Sequence, residues 1–547
     1  MRAGDVVAGI SVAGLMLPEA VAYAGIAGLP PQRAIVAAIA GCLAYAVIGR
    51  SRFAVVAPTS SSAAILAAIL ATFPGDAAAR AGIATVAVAA AGVVFLIAWV
   101  ARLGLLTGFI ARPVLRGFAF GLAVTIILHQ IPTITGVPIE APDLPRFAVA
   151  LARSVGDWQP LGLAAGGLAL AALIAARRVP MVPGAFVVVV VGSSLAWAFD
   201  LPGHGLAVVG PVTLLPTLPS LPALSWPTLS HLVQMILPLV LILFAESWGT
   251  MRTLALRHGD TIVPDRELAA LGLANLAAAL VQGLPVGAGF SAGSANETAG
   301  ATSRWAAVIA AIALAALVVS AAPLIAHLPE AVLAAVVIAA LAHALDPGPI
   351  LRLWRIDRDQ WVALGAAVAV ILFGVVDGMM LAVVFSVGAL LRRLALPQIT
   401  RLGCLPGTRD FADLARHPEA KSLPRIGIWR PSEPLFFANA ERVLGTIGRA
   451  AAADPDVRVV VLSLEETFDL DSTALEALIE ADARIRAGGR ALRLARARDP
   501  VRDLLVAAGA ADLAARSSYS VDAAVAAAQA ALPKIADAPS AAPSDDA

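Results

Sequence analysis

From Val6 to Leu391 the chain is a succession of apolar runs, each long enough or nearly long enough to cross a hydrocarbon core of ~30 Å. Within lipid every backbone polar group must be satisfied inside the protein. Such a chain is therefore confined to a bundle of membrane-spanning helices. The runs fall near 6–28, 34–49, 53–72, 81–101, 109–130, 161–176, 182–199, 232–250, 267–282, 284–300, 304–325, 331–345, 360–376 and 378–391, about fourteen crossings. Charged residues make up 14% of the chain, against about 25% in a soluble domain. A net charge of +1 gives no reason to expect a nucleic-acid partner. Cys42 lies in an apolar run and Cys404 beyond the last one, so neither a disulfide nor a cysteine metal framework is expected. The first run carries no cleavage pattern and is expected to stay as a span.

The loops orient the bundle. Arg50/Arg52, Arg102/Arg112, Arg177/Arg178, Arg252/Arg257/Arg266, Arg304, Arg352/Arg355/Arg358 and Arg392/Arg393 all follow even-numbered runs. The alternate loops hold few cations: Arg33, Arg80, Arg146 and Arg153 in the first half and almost none later. By the positive-inside rule both termini are cytoplasmic, and the expected location is the cell (inner) membrane.

Two segments break the helical pattern. Phe53–Ser62 places β-branched residues and Pro58 before a cluster of hydroxyls, and Gly283–Ser294 is rich in Gly and Pro. Both read as extended stretches that turn into helices midway across the membrane, which requires them to line a protein cavity. Glu19 precedes Ser60 by about the same interval as Glu246 precedes Ser291. The similar spacing suggests two copies of a seven-span unit. An odd number of spans inverts one copy, and paired broken segments in inverted repeats mark a transporter's binding site. Half-helices starting near Thr59/Ser60 and Ser291 would direct free N–H groups and positive dipole ends at one midplane point. An anion could be held there without a fixed cation.

Each glutamate sits in an apolar run, where an ionised carboxylate is costly unless protonated, paired or hydrated. Glu246 reads as a proton or sodium site, with a structural hydrogen bond as the alternative; Thr250, one turn later, would add an oxygen on the same face. Glu19 has the same two readings, since Pro18 frees a carbonyl it could bond. Tyr23 either contacts substrate or caps the end of its helix. Gly289–Gly293 fits the G-x-S-x-G elbow of serine hydrolases. The seven histidines lie mostly at loops or span ends, so no catalytic residue and no enzyme activity are expected.

These residues resemble the sulfate permease (SulP) family of anion transporters across nearly the whole chain. Leu17-Pro-Glu-Ala-Val-Ala-Tyr23-Ala is similar to the family's first-span motif, and Gly283 to Gly300 is similar to its tenth-span motif. Pro434-Leu-Phe-Phe-Ala-Asn-Ala440 resembles the opening of its STAS domain. The resemblance implies a polytopic α-helical fold of seven plus seven inverted spans, divided into a core and a dimer-forming gate. It implies an anion site at Glu19, Tyr23, Thr59, Ser60, Phe290 and Ser291, with H⁺ or Na⁺ coupling at Glu246 beside Thr250. No enzymatic cofactor and no metal centre are implied. Two positions depart from the family pattern: Glu19 stands where many members have Gln, and Ala292 where many have Arg. The site gains a possible negative charge and loses a positive one.

The expected domains are a transport region at 1–394, a linker at 395–424, a STAS domain at 425–532 and a disordered tail at 533–547. In the STAS region Arg425–Trp429, Leu435–Ala438, Val457–Leu464 and Ala491–Ala495 read as strands; Glu441–Ala453, Ser472–Ala487, Pro500–Ala508 and Val521–Leu532 read as helices. Asp471 and Ser472 open a helix. They either cap it or, by resemblance to STAS domains, form a regulatory site phosphorylated at Ser472. The expected function is secondary active transport of a small inorganic or carboxylate anion, with a homodimer, the lipid bilayer and a cytoplasmic partner of the STAS domain as associates. The alternatives are a nucleobase symporter of the same fold, a passive anion channel and a membrane sensor.

Overall fold

A computed structural model describes residues 3–73, 76–104, 112–139, 144–176, 178, 184–211, 226–356 and 359–532. Arg177, Arg358 and the tail at 533–547 lie outside the described residues. The chain forms two compact units, Met1–Val387 and Gly388–Ala547.

The first unit begins with α1 (Ala3–Ile26), α2 (Pro31–Ile48), strand β1 (Val56–Pro58) continuing into α3 (Ser60–Ala71), α4 (Ala77–Val100) and α5 (Arg112–Thr135). A short α6 (Leu144–Arg153) precedes α7 (Pro160–Ala176) and α8 (Gly184–Ala198). The second half repeats the order: α9 (Trp226–His258), α10 (Pro264–Leu280), strand β2 (Val286–Ala288) into α11 (Phe290–Thr298), α12 (Trp305–Ala326) and α13 (Glu330–Leu341). A short α14 (Gly348–Ile356), α15 (Gln360–Phe373) and α16 (Val375–Ala395) complete it. Each of the fourteen apolar runs is thus represented, two of them by a strand and a half-helix. The short helices α6 and α14 both follow the fifth crossing of their half, a correspondence that the apolar runs did not reveal.

Helices sort into two groups by packing. α1–α4 pack chiefly with α9–α12, whereas α5 packs chiefly with α15 and α13 and α7 with α13; α8 lies against α7, α1, α12 and α13. The first group holds the strand crossing. β1 and β2 pair antiparallel, Val56 opposite Ala288, Ala57 opposite Gly287 and Pro58 opposite Val286. Pro58 has no N–H to offer Val286, and neighbouring side chains complete the hydrogen bonding. Asn275 of α10 donates to the Val286 carbonyl at 2.9 Å and accepts from its N–H at 3.0 Å. Ser247 of α9 accepts from Ala288 N–H at 2.8 Å, and Cys42 of α2 lies 3.3 Å from the Val56 carbonyl. α2 reaches the strand through Gly41, where an added Cβ would lie 2.6 Å from that carbonyl.

Three of the arginine-bearing loops, those of Arg52, Arg266 and Arg304, meet at one end of this unit. Arg52 pairs with Asp260 at 2.7 Å, Arg266 donates to the Ile48 carbonyl at 2.8 Å, and Arg304 reaches the Gly49 carbonyl at 3.3 Å. There the buried Glu267 accepts from Tyr45 at 2.6 Å and from Arg50 N–H at 3.1 Å. At the opposite end Arg33 donates to Gln282 at 2.8 Å.

The second unit is a six-stranded sheet in the order β4-β3-β5-β6-β7-β8. Its strands are β3 (Ile399–Cys404), β4 (Phe411–Asp413), β5 (Ile426–Pro431), β6 (Val459–Ser463), β7 (Ala491–Ala495) and β8 (Ser517–Ser518). Its helices are α17 (Ala440–Ala453), α18 (Ser472–Ala487), α19 (Asp499–Ala507), α20 (Ala511–Ala515) and α21 (Val521–Ala531). β5 to β8 run parallel, while β3 is antiparallel to β4 and β5. All five residues of β6 are buried, as a central parallel strand covered on both faces requires. Val460 and Leu462 face α17 and α18; Val459 and Val461 face α21.

Three sequence expectations are corrected. The expected linker at 395–424 contains β3 and β4, because Leu402 is buried between strand partners that continue the sheet. The expected strand Leu435–Ala438 is instead an irregular turn whose N–H groups are taken by side chains. Leu435 donates to Thr467 at 3.1 Å, Phe436 to Asn439 at 3.0 Å and Phe437 to Asp471 at 2.7 Å. The boundary expected after residue 394 lies inside α16, at Gly388.

Candidate functional site

The antiparallel crossing sends α3 and α11 away in opposite directions, so their N-termini flank one central point. A cavity of about 270 Å³ opens there, walled by α1, β1–α3, α9 and β2–α11 on one side. Leu115, Phe118 and Leu122 of α5, with Ala340 and Leu341 of α13, close the other side.

α3 starts at Ser60 because Thr59 and Ser62 form a capping box. Ser62 N–H donates to the Thr59 hydroxyl at 3.2 Å, and the Thr59 N–H to the Ser62 hydroxyl at 3.1 Å. The Ser62 hydroxyl also lies 3.0 Å from the Pro285 carbonyl, tying the half-helix to the other half of the molecule. α11 starts after Gly289, which brings no capping side chain.

Glu19, Tyr23, Thr59, Ser60, Glu246, Phe290 and Ser291 all line the cavity. The expected cluster is therefore assembled, with one exception. Thr250 is buried one turn beyond Glu246, where its methyl would lie 3.2 Å from a Cβ added at Gly293, and it does not line the cavity. Two residues were not singled out from the sequence. Ser61 donates to Glu246, and the Thr59 hydroxyl stands 2.9 Å from Ser61 and 3.3 Å from the same carboxylate. Ser62 acts through the cap. A run of three serines marked the place without telling which one turns inward; that depends on where the helix begins.

Ser291 donates to Glu19 at 3.1 Å. Ser61 and Ser291 are each the second residue of their half-helix. Each half-helix thus presents a serine to the glutamate of the opposite half. No Lys, Arg or His is among the described residues lining the cavity. Nothing in this wall resembles a nucleophile with a histidine base.

A second cavity, of about 500 Å³, lies toward the end opposite the arginines and shares α1, α3, α5 and α13 as walls. His129 and Glu330 line it. The His129 Nδ1 lies 2.8 Å from the Thr125 carbonyl, and the ring stacks on Phe147 with centroids 4.3 Å apart.

Residues 3–384 match the sulfate permease family, and residues 417–524 match the STAS domain. The chain belongs to the sulfate permease family. It is 34% identical over 517 residues to a probable sulfate transporter of Mycobacterium tuberculosis, covering 93% of this chain and 92% of that one. Human solute carrier family 26 member 6 is 26% identical over 484 residues, covering 83% of this chain and 63% of its own length. Among solved structures, the murine Slc26a9 anion transporter in its inward-facing state superposes with a TM-score of 0.87 at 18% identity, covering 96% of this chain and 91% of that one. The transmembrane domain of the cyanobacterial bicarbonate transporter BicA gives a TM-score of 0.62 at 18% identity, covering 71% and 97%. The sulfate permease fold, an anion transporter with a C-terminal STAS domain, is thus established for this chain.

In the STAS domain Asp471 caps α18, accepting from Ala474 N–H at 2.8 Å with one oxygen and from Phe437 N–H at 2.7 Å with the other. Ser472 is the first residue of the helix and is exposed.

Proposed function

We propose that this sulfate permease family member is a secondary active transporter that takes up a small inorganic or carboxylate anion with protons, sodium being the second choice of coupling ion. The observation that carries the reading is the cavity itself, in which two half-helix N-termini meet two carboxylates without a lining cation. Partial positive charge at each N-terminus favours an anion. Thr59, Ser60, Ser291 and the aromatic rims of Tyr23 and Phe290 supply donors and shape. Glu246 holds the coupling proton, because a protonated carboxyl removes the repulsion that an arriving anion would meet. The relatives' names favour sulfate or bicarbonate, and C4-dicarboxylates fit the same chemistry. Neither an enzymatic cofactor nor a metal is needed for this cycle.

The two cavities, which follow one another along α1, α3, α5 and α13, support alternating access by movement of the α1–α4/α9–α12 group against the rest. The arginine-rich end is placed in the cytoplasm by the positive-inside rule, with both termini there and the protein in the cell (inner) membrane. A homodimer is inferred from the family resemblance. The STAS domain is assigned a regulatory role toward a cytoplasmic partner, with Ser472 as its phosphate acceptor.

The test is a proteoliposome panel of radiolabelled sulfate, bicarbonate, chloride, nitrate and C4-dicarboxylates under imposed H⁺ or Na⁺ gradients. Concentrative uptake driven by an inward proton gradient is expected, and Glu246→Gln should weaken its pH dependence. A pH dependence in that variant as steep as in the wild type refutes the coupling assignment. Uptake that never exceeds the electrochemical gradient would make the protein a channel.

A further inference from the structure

We infer that Glu19 is a tethered anion: in the substrate-free protein its carboxylate occupies the place at the N-terminus of α11 that the transported anion must take, so Glu19 is a second coupling site beside Glu246. This rests on the anion-transport reading above and deepens it.

Three features of the cavity lead to this assignment. The first is the crosswise pairing. Glu19 from the first half accepts from Ser291 at 3.1 Å, as Glu246 from the second half accepts from Ser61. Each carboxylate thus sits at the opening turn of the opposite half-helix. The second is an asymmetry between the two turns. The first turn of α3 is capped by the Thr59 side chain, while α11 begins at Gly289 with no side-chain cap. The α11 turn therefore offers the more open set of N–H donors, and Glu19 is the carboxylate beside it. The third is charge. Each helix N-terminus carries roughly half a positive charge. With both glutamates ionised, the empty cavity is net negative and excludes an anion.

The groups facing Glu19 do not relieve that balance. α9 presents Glu246, α1 presents Tyr23, and the only polar side chains that α3 and α11 present are hydroxyls. α5 and α13 present apolar walls, and α2, α8 and α12, which also pack on α1, contribute nothing to the lining. An anion can enter only when Glu19 takes a proton from the solvent of the side to which the cavity is open and leaves Ser291. On release at the other side the proton returns to solvent and the carboxylate resumes its place. One anion then travels with two protons, one on each glutamate.

The experiment uses the full-length protein in lipid nanodiscs. Binding of sulfate, fumarate, nitrate and chloride is followed by thermal stabilisation from mildly acidic to alkaline pH, together with proton uptake in weakly buffered solution. Above the titration of both carboxyls, the apparent Kd of the wild type should rise about 100-fold per pH unit, with about two protons taken up per anion. Glu19→Gln should lower this to about tenfold per unit and about one proton. Glu19→Asp, which keeps the charge, should retain the steep dependence. A Glu19→Gln slope equal to that of the wild type overturns the inference while leaving the transport reading intact. Should Glu19→Gln fail to fold, the wild-type count still decides: uptake of about one proton per anion above the titration of both carboxyls overturns it. A wild type that none of the four anions stabilises at any pH overturns both.

Discussion

Replacing Asn275 by Leu tests the claim that side chains, rather than a regular ladder, hold the strand crossing. Asn275 is fully buried on α10, and its amide makes both a donor and an acceptor contact with Val286, at 2.9 and 3.0 Å. Pro58 lies opposite Val286 in the register and cannot supply the missing N–H. Leu has a similar volume but leaves one N–H and one carbonyl without these partners. At about 1–3 kcal/mol for each unsatisfied buried group, the loss is about 2–6 kcal/mol. Asn296→Leu is the internal standard, because Asn296 makes a single such contact, from its Nδ2 to the Phe53 carbonyl at 3.2 Å; about 1–3 kcal/mol is expected. Denaturant unfolding of both full-length variants in mixed micelles should therefore rank them, Asn275→Leu being the more damaged. Since the crossing also sets the start points of α3 and α11, the same variant should lose anion uptake at temperatures where it remains folded. Equal stability of the two variants, or wild-type behaviour of Asn275→Leu, would refute the reasoning.

Three further outcomes follow from other regions of the fold. A Cβ added at Gly117 of α5 would lie 1.9 Å from the Ala363 carbonyl of α15, so Gly117→Ala must push apart a closely packed helix pair and should lower the thermal midpoint. Gly167→Ala, where nothing lies within 4 Å, should be neutral or stabilising by up to about 1 kcal/mol. Asp471→Ala removes the cap of α18 and should cost the STAS domain about 1–2 kcal/mol, while Ser472→Ala should stay within about 0.5 kcal/mol; chemical unfolding of the full chain, followed by circular dichroism, separates the two. Arg516 grips both oxygens of Asp482, at 2.9 and 2.7 Å. Arg516→Lys loses that fork and should destabilise the same unit by about 1–3 kcal/mol in the same assay.

The features of the molecule that could be read from sequence are those whose physics is local. An apolar run announces a span whatever surrounds it, and all fourteen runs are represented in the fold. A carboxylate inside such a run is conspicuous because lipid penalises it, which is why Glu19 and Glu246 could be picked out and both reach the cavity. α6 and α14 escaped notice because ten-residue and nine-residue helices with mixed faces carry no spanning pattern. Leu435–Ala438 has the composition of a strand, but the groups that claim its N–H bonds are Thr467, Asn439 and Asp471. Two of these lie more than thirty residues away in sequence. Asn275 is a lone amide in an Ala-rich helix, and its value depends on a proline in the other half of the chain. Thr250 shows the converse failure: helical spacing from Glu246 placed it correctly on α9, but α11 packs so closely at Gly293 that Thr250 is enclosed there instead of facing the cavity.

The departures at Glu19 and Ala292 acquire a common meaning once both are placed. Both line the cavity, and Ala292 directly follows the serine that holds Glu19. An arginine at Ala292 would neutralise a bound anion permanently, and it would also hold Glu19 ionised beside it. Alanine there leaves Glu19 with only a hydroxyl partner in a cavity whose other carboxylate repels it. On the proposed function, the charge that a fixed cation would contribute in every state of the cycle is supplied by protons only while the anion is bound. A transporter must release what it binds, and positive charge that departs with the cargo makes release on the far side as feasible as capture on the near side. The helix N-termini cannot titrate, so they give the site its shape and its preference for anions. The two glutamates, each reaching across to the other repeat, make that preference conditional on protons.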